Sequence, residues 1–148
     1  MVFFSTLPAN RARGLRAELP IELHKNLPLA LIHVNGSEPL TFILDSAAAH
    51  FVLDRKRAVA LGLKIAGTAE SSGSGGSVLV ELVHDVRLNM NGVEIVPERV
   101  LAFDMEQLSF RHAVDGILGL PLFSKYVVEI DYLSLRDTHF RTIPVPAA

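Results

Sequence analysis

The chain has 148 residues, of which 49% are hydrophobic and 20% charged, and its net charge is −2. These values indicate one folded domain rather than a disordered chain, and they offer no basic patch for nucleic acid. Because the sequence has no cysteine, disulfides, thiolate nucleophiles and cysteine-ligated metals are excluded.

The termini carry little regular pattern. Residues 1–17 mix Pro8, Gly14 and three arginines without a sustained period, and we predict a flexible lead-in there. We place a domain at residues 18–142 and a C-terminal tail or linker at 143–148. No stretch approaches the roughly 18 apolar residues of a membrane span. A cytoplasmic location and removal of a leader, to the periplasm or outside the cell, both remain open.

The first half of the proposed domain has the alternation of β-strands. Residues 18–23 and 29–34 predict two strands, and the Asn35-Gly36 dipeptide predicts a hairpin turn into a strand that ends at Leu44. After a short strand at residues 51–53, Asp54 is placed to cap a helix from Arg55 to Leu61, with a solvated cationic face.

The second half continues with short strands separated by turn residues. A glycine- and serine-rich stretch at residues 67–77 precedes strands at 78–83, 86–90, 93–96 and 100–103, with a second predicted turn at Asn91-Gly92. One helical turn is expected within residues 104–112, a short helix at 121–126, and a final hairpin from strands at 127–132 and 133–140. This succession predicts an all-β fold with a closed or barrel-like sheet.

One acidic residue interrupts the apolar pattern abruptly. The apolar run of residues 41–44 stops at Asp45, and the small residues Ala47, Ala48 and Ala49 follow before Phe51. An acid at the end of a buried strand, followed by side chains too small to cover it, suggests an accessible carboxylate. The alternative is that Asp45 only ends the strand or forms a turn.

Three features in a fixed order extend this pattern. They are the Asp45-Ser46-Ala47-Ala48 segment, the glycine-rich tip at residues 72–76 and the segment Asp115–Phe123, DGILGLPLF. Together they resemble the retropepsin-like aspartic proteases, in particular bacterial proteins with a single such domain. The resemblance spans roughly residues 19–140 and implies an all-β acid-protease barrel with one or two short helices.

The resemblance implies an aspartic endopeptidase in which two Asp45 carboxylates activate water. Because the chain has one such motif and Asp115-Gly116 lacks its features, the second carboxylate would come from a homodimer. The implied substrate is an extended peptide or protein, with no cofactor. Supporting positions would be Ser46, Ala47, Ala48, Ile117, Leu118 and Gly119, and a substrate-covering flap would comprise Gly73, Ser74, Gly75 and Gly76.

The sequence departs from the family pattern at one position of the motif. Ala47 stands where the family has glycine, and its methyl group would lie beside the carboxylates and the substrate backbone. His50 is also unusual there, and we interpret it as a surface histidine. A catalytically impaired domain that binds peptides or mediates dimerisation is therefore the alternative function.

Other kinds of site fit less well. The glycine- and serine-rich stretch lies between strands, unlike a serine-hydrolase elbow, and it lacks the lysine and helix of a phosphate loop. The six histidines show no metal-ligand spacing, so we predict no metal site at His24, His33, His50, His84, His112 or His139.

Overall fold

The computed structural model describes residues 2–6, 16–73, 76–108 and 114–132. Within these residues strands dominate, with two short helices and one 3₁₀ turn at Met105–Gln107. The strands and helices are β1 (Val2–Thr6), β2 (Arg16–Leu19), β3 (Ile21–His24), β4 (Leu27–Val34), β5 (Leu40–Leu44), β6 (Phe51–Asp54), α1 (Arg55–Ala60), β7 (Ile65–Gly73), β8 (Gly76–Val83), β9 (Leu88–Met90), β10 (Val93–Ile95), β11 (Val100–Phe103), β12 (Gly116–Leu118), α2 (Leu120–Lys125) and β13 (Tyr126–Ile130). This confirms the predicted all-β fold class.

The predicted hairpin turns form where the sequence placed them. Asn35 and Gly36 both have positive φ and join β4 to β5 as antiparallel neighbours. Asn91 and Gly92 do the same for β9 and β10. Positive φ at both central residues is the geometry of the tight hairpin turns that match strand twist, which is why Asn-Gly is a reliable signal.

The centre of the large sheet contains a strand inserted between two others, an arrangement that no local sequence pattern indicated. The strand order is β10-β9-β4-β5-β12-β6-β11-β8-β7, with β3 paired to β4. Strand β12 lies between β5 and β6, parallel to β5 and antiparallel to β6. The chain from β5 to β6 must therefore pass across the end of β12.

Glycine is required where β12 begins. A methyl group at Gly116 would overlap the Phe42 ring and the backbone oxygen of Val52, which belong to the strands on either side. The core closes against both strands here, since Phe42 and Leu118 are almost completely buried. The narrow space between β5 and β6 thus selects a residue without a side chain.

A second, three-stranded sheet joins the two ends of the described chain. Strand β1 pairs antiparallel with both β13 and β2. The sequence analysis expected a flexible lead-in over residues 1–17, yet Val2–Thr6 and Arg16–Leu19 form strands. Strand β13, one of the two partners of β1, lies more than a hundred residues away in the sequence, beyond the reach of local periodicity. The strand predicted at 133–140 lies outside the described residues.

The helices follow from recognisable end signals. Asp54 caps α1 by accepting a hydrogen bond from the backbone N–H of Arg57, as predicted. Pro121 lies in the first turn of α2, where its missing N–H leaves no helical hydrogen bond unmade. In the part of the chain that the structure describes, no helix is long and apolar enough to cross a membrane.

Candidate active site

Asp45 lies at the point, in the middle of the large sheet, where the parallel strands β5 and β12 both end. Leu44 of β5 is in register with Leu118 of β12, so the residues that follow them emerge at the same point. The backbone N–H of Asp45 donates to the carbonyl oxygen of Leu118 at 3.0 Å. This bond extends the β5–β12 ladder by one residue and fixes the backbone from which the carboxylate projects.

The loop after β5 orients the Asp45 carboxylate. The backbone N–H of Ala47 donates to Asp45 Oδ1 at 2.9 Å, and that of Ala48 donates to the Asp45 carbonyl oxygen at 3.2 Å. Asp45 is half-buried, whereas Ser46 and Ala47 are exposed. Among the described residues, Asp45 makes no ion pair. Its carboxylate is therefore positioned by the protein and still accessible, as a reacting group must be.

Ala47 fits the loop without backbone strain. It is not among the residues with positive φ, so its backbone does not need the conformational freedom of glycine. Its amide makes the same hydrogen bond that a glycine amide would make. The methyl group of Ala47 therefore occupies space above the loop but does not alter the path of the backbone.

Gly119 lets α2 begin directly beneath this loop. Its φ is −90°, so glycine is needed here for space and not for an unusual backbone angle. A methyl group at Gly119 would overlap the carbonyl oxygens of His50 and Ala48. The next residue, Leu120, donates its backbone N–H to that Ala48 oxygen at 2.7 Å. The start of α2 and the Asp45 loop are thus in direct backbone contact.

The two apolar residues before Gly119 anchor opposite sides of β12. Leu118 is fully buried in the main core, together with Phe42 and Leu122. Ile117 belongs to a smaller apolar cluster against which Ala48 of the loop packs. Alternation along a strand produces this division, and it places an apolar support under the loop.

Asp115 has a structural role that the sequence analysis missed. Its side chain is 12% exposed, and its two oxygens accept from Arg57 Nε at 2.6 Å and from the backbone N–H of Thr41 at 2.8 Å. Its backbone N–H donates to the Thr41 oxygen, and its carbonyl oxygen accepts from the Asp54 N–H. Asp115, the residue before β12, therefore connects the start of β12 to β5, β6 and α1. An acid just before Gly116 was the only sequence signal.

The glycine-rich tip belongs to a long β-hairpin. Strands β7 and β8 pair antiparallel as far as Gly73 and Gly76, while Ser74 and Gly75 lie outside the described residues. The sequence pattern placed the glycine- and serine-rich residues 67–77 between strands, yet most of this stretch is itself strand. The register shifts between Ile65 and Thr68, around Gly67, whose φ of 81° suits a bulge.

The base of this hairpin is connected to the site through the sheet and through α1. Strand β8 pairs with β11, and β11 pairs with β6, which begins where the Asp45 loop ends. Arg55 of α1 bonds Glu81 of β8, with Nε and Oε2 2.5 Å apart, and this contact raises the pKa of Arg55 above its usual value. The cations of α1 are exposed, as expected of a solvated face, but Lys56 also contacts a carboxylate, that of Glu106.

No group of three or more histidine, cysteine, aspartate or glutamate side chains within the described ranges could hold a metal ion. His33 and His84 instead contact backbone oxygens, of Ser37 and Ala66 respectively. His50 is half-buried at the start of β6. His112 and His139 lie outside the described residues.

Three features found here are those of a retropepsin-like aspartic protease domain. They are the β5–β6 loop that passes across the end of β12, the Asp45 carboxylate on that loop, and the β7–β8 hairpin. Residues 30–122, well over half of the chain, match the aspartyl protease family. The chain therefore belongs to the aspartyl protease family, as its motifs predicted.

The fold is also similar to that of a solved structure, EIAV protease complexed with the inhibitor HBY-793. The TM-score is 0.50 and the identity is 23%, over 66% of this chain and 86% of that chain. At this identity the similarity shows the fold alone. No curated protein matches the sequence.

Proposed function

We propose that this protein is an aspartic endopeptidase whose catalytic centre is formed by Asp45 from each of two identical chains. The observation that carries the proposal is the placement of one accessible carboxylate by the β5–β12 ladder and the loop amide of Ala47. Asp115, the other acid in a family-like motif, is bonded to Arg57 and Thr41 and is not available for catalysis. Because each chain supplies only one catalytic acid in this proposal, the second acid must come from another copy of the chain.

The proposed reaction needs the two carboxylates in different protonation states. In aspartic proteases two adjacent carboxylates share one proton, because both cannot stay ionised at such short range. The ionised Asp45 takes a proton from a water molecule, which attacks the scissile carbonyl carbon. The protonated Asp45 donates to the carbonyl oxygen, which gives a tetrahedral gem-diol intermediate. The carboxyl that took the water proton then donates it to the leaving nitrogen as the C–N bond breaks, and the other carboxylate takes back a hydroxyl proton, which leaves an amine and a carboxylic acid. The pH dependence of this reaction belongs to the pair and not to one residue.

The proposed substrate is an extended peptide segment. Such a segment would pair its backbone with the protein as an added strand, and its alternating side chains would enter pockets. We assign the flap role to the β7–β8 hairpin, with Gly73 and Gly76 at its paired end. Ser46 would contribute its exposed hydroxyl to the base of the dimeric site. Ile117, Leu118 and Gly119 would hold the loop from below.

A second function rests on Ala47. In a dimer, two methyl groups would lie on the floor of the cleft, where a displacement of about 1 Å can lower a rate around a hundredfold. A chain that keeps the fold but hydrolyses too slowly would act as a peptide-binding or dimerisation module. Both functions predict a dimer, so only catalysis separates them.

Cleavage of an unfolded protein across protein concentration tests the proposed function. We expect fragments of reduced, carboxymethylated lysozyme at acidic to neutral pH, since the mechanism needs one protonated and one ionised carboxylate in the pair. Specific activity should rise with enzyme concentration as dimers form, and a transition-state peptide mimic should stop it. Mass spectrometry and sedimentation velocity provide the readouts. The proposal would be contradicted if the monomer had full activity, or if a sample shown by sedimentation to be dimeric did not cleave the substrate.

Ala47→Gly measures the cost of the methyl group. We expect kcat/KM to rise about two- to tenfold, since the substrate backbone can approach the carboxylates more closely. The free energy of unfolding should fall by about 0.5–1 kcal/mol, because glycine loses more conformational freedom on folding. Ala49→Gly, at another exposed alanine of the same loop, is the matched control and should change only stability. An unchanged or lower kcat/KM in Ala47→Gly would show that the methyl group does not limit catalysis.

A further inference from the structure

A cavity of about 530 Å³ lies where the chain leaves the Asp45 loop, between the start of β6, the β10–β11 connection and α2. Ala49, His50 and Phe51 line one side of it, but Asp45 does not. Its volume is within the range of about 300–1,000 Å³ that is typical of small-molecule sites. The cavity is therefore large enough for an organic ligand and is separate from the proposed catalytic carboxylate.

The buried residues that line this cavity are apolar. Phe51 and Ile95 are buried, with 3% and 4% exposure, and Pro97 and Pro121 are half-buried beside them. These side chains offer flat, rigid contacts to a ligand and no hydrogen bonds. A fully hydrated ion would gain nothing from them, so the occupant needs an apolar body.

Charged groups at the opening select the other end of the ligand. Arg99 and Lys125 are exposed, line the cavity from two different elements, and make no ion pair with any described residue. The cations of α1 differ, since each of them contacts a carboxylate. Glu98 also lines the cavity and forms no ion pair among the described residues. The cavity lining therefore includes two cationic side chains, Arg99 and Lys125, and one anionic side chain, Glu98.

We propose that this cavity binds a small carboxylate with an apolar, preferably aromatic, body. The body would pack on Phe51, Ile95 and the prolines, and the carboxylate would face Arg99 and Lys125. The planar guanidinium of Arg99 suits a carboxylate, because its N–H groups can donate two parallel hydrogen bonds. Glu98 would face the amino group of the ligand if the ligand is an α-amino acid. This inference does not depend on peptide hydrolysis.

Three probes with the same aromatic body separate the possibilities. Calorimetry should show saturable, millimolar or tighter binding of 3-phenylpropionate, and binding at least about tenfold weaker for its neutral amide, because the amide loses the charge-assisted hydrogen bonds of the carboxylate. L-Phenylalanine tests the source of the carboxylate. Tighter binding than 3-phenylpropionate, with the difference lost in Glu98→Gln, would identify an amino acid. Equal or weaker binding would identify a free acid.

Variants locate the binding within the cavity. Arg99→Gln and Lys125→Gln should each weaken 3-phenylpropionate about five- to tenfold. Lys64→Gln is the matched control, since Lys64 is exposed but does not line the cavity. The amide resonances of Phe51 and Ser124 should shift on titration. Equal affinity for acid and amide, no saturation, or equal binding by the three variants would overturn the proposal.

Discussion

Asp45→Asn is expected to lower kcat/KM for peptide cleavage by at least about a thousandfold while leaving the fold and the dimer intact. In a symmetric dimer the substitution replaces both carboxylates, so neither a base for the water nor an acid for the carbonyl oxygen remains. Acid–base groups contribute about 10²–10⁴-fold each. The asparagine side chain keeps an oxygen that can accept from the Ala47 amide, as Asp45 Oδ1 does. Cleavage rates, thermal unfolding and sedimentation of both proteins provide the comparison.

A matched control is available at Asp85. This residue is exposed, and its φ of 59° is one that asparagine adopts readily, so Asp85→Asn removes one charge without moving the chain. It should retain full activity. If Asp45→Asn and Asp85→Asn cleave at the same rate as the wild type, Asp45 is not catalytic and the protease proposal fails.

Mixing the two proteins distinguishes a shared site from two independent ones. When subunits exchange freely between equal amounts of wild type and Asp45→Asn, about half of the wild-type chains pair with a mutant chain. Activity for each wild-type chain should therefore fall to about half, since a site with one carboxylate is inactive. Unchanged activity in a mixture shown to contain heterodimers would exclude a site made from both chains.

Gly119→Ala is expected to have the largest effect on stability. The added methyl group would overlap the carbonyl oxygens of His50 and Ala48, and both are backbone atoms that cannot rotate away. Relief requires α2 to move from the Asp45 loop, which breaks the hydrogen bond from Leu120 to Ala48. Overpacking in a well-packed site costs about 1–3 kcal/mol, occasionally more, and the lost hydrogen bond adds about 1 kcal/mol. Urea unfolding should show a loss of about 3 kcal/mol, with a large loss of cleavage activity.

Gly36→Ala separates this steric effect from the general effect of replacing glycine. Nothing lies within 4 Å of a methyl group at Gly36, but its φ of 76° is unfavourable for alanine. The expected cost is therefore only the backbone penalty of about 1–2 kcal/mol, without loss of activity. If Gly119→Ala is no less stable than Gly36→Ala and remains active, α2 does not hold the loop through Gly119.

Local chemistry explains which parts of the fold were predictable. The turns at Asn35-Gly36 and Asn91-Gly92 depend on the backbone angles of two residues, so the dipeptide is a sufficient signal. The capping of α1 by Asp54 likewise involves residues three apart. Asp45 could be singled out because an acid that ends an apolar strand is conspicuous in the sequence itself.

Contacts between distant segments explain most of what was missed. The pairing of β1 with β13 and the insertion of β12 between β5 and β6 join residues about 60 to 130 positions apart. Pairing at such a distance leaves no periodic signal in either segment. The roles of Asp115 and Arg57 depend on that insertion, since they meet only after β12 is in place. The cavity beside Arg99 and Lys125 arises in the same way, from three separate segments.

The insertion of β12 also determines when, during synthesis and folding, the Asp45 site can assemble. Strands β5 and β6 are only a few residues apart in the chain, yet they cannot complete the sheet until residues 116–118 arrive between them. A nascent chain on the ribosome therefore carries Asp45 through the synthesis of about 70 further residues before the strand that positions it is made. Such non-local pairing also slows folding, since a long loop must close first. The topology thus delays assembly of the Asp45 site until nearly the whole domain has been translated.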